Sequence, residues 1–151
     1  TERHELQHQI DGQALAVPSR LFRLLPMAAD AQIERPAKET SAYLAELDTE
    51  DPLTALWTLG QLAAFLAGPA RQSPYRYAAG LVFEALSDQE VLAPMGEVNA
   101  DAVAAVWQRL ARMDGPTIAA TVSGAARDAH EALFGDPVGH PTEDPGADAA
   151  R

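Results

Sequence analysis

The sequence predicts an all-α fold, a single-domain bundle of five or six helices, on three observations. Apolar residues recur at three- and four-residue spacing along most of the chain, and no alternating β-branched run argues for a sheet. Prolines and capping residues stand where helices would start, and glycines where they would stop. The 151 residues, 47% of them hydrophobic, suit one compact core. The helical domain is expected over residues 1–135, with a mobile, acidic, Pro- and Gly-rich tail over 136–151.

Each element has its own warrant. Residues 2–16 carry Leu6 and Ile10 one turn apart, weakly broken by Asp11-Gly12. "VPSRLFRLLPMAAD" places Pro18 at a helix start and Pro26 at its end or kink, with Leu21, Phe22, Leu24 and Leu25 as its apolar side. "ERPAKET" reads as a loop before a short helix over residues 41–47. In "DTEDPLTALWTLGQLAAFLAG", Thr49 and Asp51 can cap, Pro52 opens the helix and Gly68 stops it. Apolar residues cover most of its circumference, so this helix is expected at the centre.

A second start, Ser73-Pro74, leads a helix facing Ala78, Leu81, Val82, Ala85 and Leu86 inward. "VLAPMGEVN" is a loop whose Asn99 caps a helix with Val103, Val106, Trp107 and Leu110. The last helix, from about Pro116, aligns Ile118, Val122, Ala125, Ala129 and Leu133 and stops at Gly135.

Charge and composition narrow the function classes. With 22 acids against 11 bases the net charge is -11, which repels phosphate backbones and anionic membranes. No stretch approaches the roughly 20 apolar residues of a membrane span. The start is polar, without a secretory signal, and a cytoplasmic location is expected. The absence of cysteine removes disulfides, thiol nucleophiles and thiolate ligands.

Two stretches carry chemistry. His4-Glu5-Leu6-Gln7-His8 spells H-E-x-x-H, by which many zinc hydrolases hold a metal between two imidazoles, with the glutamate as base. At ~100° per residue Ile10 lies about 40° from Leu6, whereas His4 and His8 lie roughly 160° away. The imidazoles therefore face away from the apolar edge, and a solvated polar face explains them without a metal. A terminal helix is also expected to fray. If the first and last helices were neighbours, His130 could supply a third imidazole, and the set would suit zinc or nickel.

The second stretch is "GPARQSPYRYAAG". Arg71 and Arg76 flank a helix start, where an acid is the favoured neighbour. With Ser73, Tyr75 and Tyr77 they form a candidate site for a carboxylate or phosphate. The plainer account pairs an arginine with an acid of the same chain. Trp57 and Trp107 could line a cavity, although tryptophans at such positions usually fill the core. No phosphate loop, dinucleotide fingerprint or nucleophile elbow is present.

These readings favour a non-catalytic accessory, regulatory or assembly protein without a cofactor, acting on a protein partner or its own copies. One alternative is a metal-dependent hydrolase or transferase, with zinc or nickel on His4, His8 and His130 and with Glu5 as base. A second is a carrier of a small molecule in an aromatic-lined pocket.

Overall fold

Helix α3 (Asp30–Leu47) is the axis of the molecule. Helices α1 (Glu2–Asp11), α2 (Ser19–Leu24), α4 (Pro52–Ala67), α5 (Pro74–Ser87) and α7 (Gly115–Phe134) all pack against it, and α6 (Ala100–Leu110) packs on α5. The structure, a computed structural model, describes residues 1–12 and 15–135. Among those residues there are seven helices and no strand, so the all-α expectation stands and the expected count of five or six is too low. The tail expected over 136–151 lies outside the described residues. No helix among them is long and apolar enough to cross a membrane.

Two departures from the sequence reading share one cause. "ERPAKET" is helical: α3 runs through Pro36, which is buried inside it. A proline there has no N–H for the Gln32 carbonyl, and in an isolated helix this costs about 3 kcal/mol. Burial of Ile33, Pro36, Ala37, Leu44 and Leu47 offsets that cost. Nor is the apolar α4 the central helix. It turns Ala55, Leu59, Leu62 and Leu66 inward but leaves Leu53 and Trp57 74% and 70% exposed.

The central position goes instead to a helix with buried Glu39, Thr40, Ser41 and Glu46. Buried polar groups must find partners, and these do so across helices. Ser41 Oγ lies 2.9 Å from His130 Nε2 on α7, and Thr58 Oγ1 of α4 donates to Glu46 Oε1 at 2.9 Å. Hydropathy alone ranks α4 above α3; partner geometry reverses the order.

The expected caps are present at three helix ends. Asp51 accepts from Leu53 N and Thr54 N, Asn99 Oδ1 accepts from Ala102 N, and Gly135 closes α7 at φ 80°. Ser73 holds the position before α5, but its hydroxyl makes no capping bond. The segment between α5 and α6 is fastened by an ion pair. Arg20 grips Glu84 through Nε and Nη2, at 3.2 and 3.0 Å, and Glu84 Oε1 also accepts from Val91 N.

Candidate metal centre

Helix α1 docks on α3 with its polar side inward. Leu6 is 55% exposed, whereas Gln7 and Asp11 are buried and joined by a 2.7 Å hydrogen bond. The face opposite Leu6, expected to meet water, is the face that is covered. Thr1 Oγ1 accepts from His4 N at 3.4 Å and caps the helix.

This docking brings His4 and His8 against two carboxylates of α3. His4 Nε2 lies 3.2 Å from His8 Nε2 and 3.5 Å from Glu39 Oε2, and His8 Nε2 lies 3.7 Å from the same oxygen. Three donor atoms thus form a nearly equilateral triangle. An ion with tetrahedral bonds of ~2.0–2.1 Å spaces its donors about 3.4 Å apart. Glu39 is 7% exposed and its Oε2 is buried without a hydrogen-bond partner, so the triangle has a polar corner that the protein itself leaves unsatisfied.

A second carboxylate stands behind. His4 Nδ1 lies 3.4 Å from Glu46 Oε2, a contact of charge rather than a well-aligned hydrogen bond, and Thr58 holds the other oxygen of Glu46. A carboxylate on the far nitrogen of a ligating histidine fixes its tautomer and raises its basicity. The ring of Tyr43 meets His4 edge-on at 4.7 Å and walls the site.

The electrostatics follow from this enclosure. Glu39 and then Glu46, outweighing burial, raise the His4 pKa to about 9. Burial alone would lift the Glu46 carboxyl, but His4 and Thr58 outweigh it and hold the group below its ordinary range. In metal-free protein His4 is therefore an imidazolium between two carboxylates. A divalent cation at the triangle would take the place of its Nε2 proton.

The other candidate ligands lie elsewhere. The donor group among the described residues consists of His4, His8 and Glu39 and does not include His130, which is 2% exposed and engaged with Ser41. Helices α1 and α7 both pack on α3, and it is α3 that supplies the third donor. Glu5 is exposed and is not a member of that donor group. The sequence did hold a signal for the missed residues: Glu39, Tyr43 and Glu46 fall at i, i+4 and i+7, one face of a helix. Reading residues 34–40 as a loop erased it.

The basic helix start is resolved differently from the sequence reading. Arg76 is buried, and its Nη1 donates to the carbonyls of Phe65, Leu66 and Gly68 while Nη2 donates to Gly96 O at 2.8 Å. A cation at the third position of α5 is tolerated because its side chain reaches back to the negative C-terminal end of α4. Both Nη groups are engaged with backbone carbonyls, and the buried Nε has no hydrogen-bond partner among the described residues. Tyr75 stacks on Phe65 at 5.2 Å, Tyr77 is buried, and Arg71 stays exposed, so the five residues do not form one open site. Trp57 points outward and Trp107 packs beside Phe83 at 6.4 Å, so the two tryptophans do not share a cavity. No family model, curated protein or solved structure matches this chain.

Proposed function

We propose that this protein binds one divalent transition metal, zinc or nickel, through His4, His8 and Glu39, and that the ion fastens α1 to α3 in a non-catalytic, regulatory role. One observation carries this reading: the 3.2, 3.5 and 3.7 Å triangle of donor atoms, with spacings close to those of a tetrahedral ion. The covered face of α1 is polar, so little apolar burial holds the helix in place, and a shared ion would supply what hydrophobic packing does not. The exposed position of Glu5 favours a binding role over hydrolysis or group transfer.

Native mass spectrometry of the untagged chain with zinc, and separately with nickel, tests this directly. The expected result is one ion per chain, lost in His8→Ala and weakened in Glu39→Gln. Absence of stoichiometric binding for both metals, or binding indifferent to His8→Ala, would overturn the proposal.

A second reading, as an assembly protein, is favoured by the exposure of Leu53 and Trp57 one turn apart on α4. A protein partner or a second copy covering them would make Trp57→Ala change the size or partner content of the purified protein. Unchanged size and partner content would remove this reading and leave the metal site untouched.

A further inference from the structure

The connection between α2 and α3 stands apart from the start of α5 by a cleft of about 550 Å³, within the ~300–1,000 Å³ typical of small-molecule sites. Leu24, Leu25, Met27, Pro36, Pro74 and Pro94 form its apolar wall. No acid lines it, in a chain where acids outnumber bases 22 to 11. Its one charged lining residue is Arg35. Among the described residues Arg35 makes no ion pair, and its guanidinium carbon sits 5.9 Å over the Tyr75 ring, which Phe65 backs.

Tyr77 supplies a second donor. The residue is 3% exposed and lines the cleft, and its hydroxyl has no hydrogen-bond partner among the described residues. The hydroxyl is not among the fully buried, unpartnered atoms and so keeps solvent access. Burial pushes its pKa upward, so it stays protonated and able to donate. Gln32 commits its side-chain oxygen to Ala29 N at 3.2 Å, which leaves its amide N–H groups as further donors. Cation, hydroxyl and amide are all donors, and apart from Gln72 the other lining side chains are apolar.

We propose that this cleft binds a small amphipathic carboxylate, its acid group on Arg35 and the Tyr77 hydroxyl and its apolar body against Leu24, Leu25 and Met27. A neutral apolar molecule would strip water from the Tyr77 hydroxyl without replacing it, and a cation would meet Arg35. The proposal does not depend on the metal centre, whose residues line no part of this cleft.

Isothermal titration of the full chain with decanoate, decan-1-ol and decyltrimethylammonium tests it. Decanoate is expected to bind saturably with one site per chain, the alcohol more weakly and the ammonium not at all. Arg35→Glu should weaken decanoate by about tenfold or more, since a charge-assisted contact is worth roughly 1.5–3 kcal/mol. Tyr77→Phe, which keeps the ring, should weaken it severalfold, and Ala31→Trp, an exposed lining position, should block it. No saturable decanoate binding would overturn the proposal. So would affinity unchanged in Arg35→Glu, or undiminished in Ala31→Trp, with circular dichroism confirming the fold of each variant.

Discussion

The Nε2 atoms of His4 and His8 lie 3.2 Å apart, with Glu39 Oε2 completing a triangle around the space between them. Two imidazoles meet this closely only when a proton or a cation sits between their nitrogens. The two occupants make different demands on Glu46. For a proton, Glu46 is a second counter-charge; for an ion, it orients His4 by way of Nδ1. Glu46→Gln should therefore reduce zinc affinity by roughly 10–100-fold while leaving one ion per chain. A titration against a competing chelator reads this directly, and an unchanged affinity would remove Glu46 from the site.

The metal-free protein should lose stability as pH rises. The folded pKa of His4 is raised from 6.5 to about 9, so its contribution is fully present below pH 6.5 and is lost as pH rises toward 9. At 1.36 kcal/mol per pH unit the loss is at most about 3 kcal/mol. Denaturant midpoints in chelator at pH 6 and pH 9.5 measure it. His8→Ala should keep most of this dependence, since Glu39 and Glu46 still flank His4, whereas His4→Ala should abolish it.

Arg76 should prove a structural residue. Arg76→Ala leaves the carbonyls of Phe65, Leu66, Gly68 and Gly96 without their donor, in a partly or fully buried setting. A loss of about 3 kcal/mol is expected. Arg76→Lys should recover only part of it, because an ammonium cannot reproduce the planar fork that spans four acceptors. Denaturant unfolding monitored by circular dichroism distinguishes this from the recognition role, under which stability would be unmoved and only ligand or partner affinity would change.

Local rules were legible in the sequence and long-range polar partners were not. Pro52, Asn99 and Gly135 mark helix ends because capping depends on neighbours within a turn or so. Arg76 broke such a rule, and the break did mark a special residue; its cause, the C-terminal end of α4, lay in another helix. The rotation angle of His4 from Leu6 was also sound. What failed was the assumption that an apolar edge must be the buried one. Helix α1 covers its polar side because Glu39 and Glu46 await it on α3, and periodicity within α1 carries no record of that.

Two glycine substitutions separate packing from helix propensity in the same protein. Gly60 in α4 and Gly80 in α5 both lie inside helices, where alanine is favoured by about 1 kcal/mol. A Cβ at Gly60 meets nothing within 4 Å, so Gly60→Ala should raise stability by roughly that amount. At Gly80 a Cβ would stand 2.9 Å from the Cβ of Leu92, an atom fixed to the backbone of a fully buried residue. Relief would require moving the segment that Glu84 and Arg20 tie down, because Arg20 Nη2 also donates to the Leu92 carbonyl at 2.8 Å. Overpacking of this kind costs roughly 1–3 kcal/mol, which cancels or outweighs the propensity gain. Denaturant midpoints should therefore rise for Gly60→Ala and fall or stay level for Gly80→Ala. A rise in Gly80→Ala equal to that of Gly60→Ala would mean that α5 and the segment at Leu92 are not in close contact.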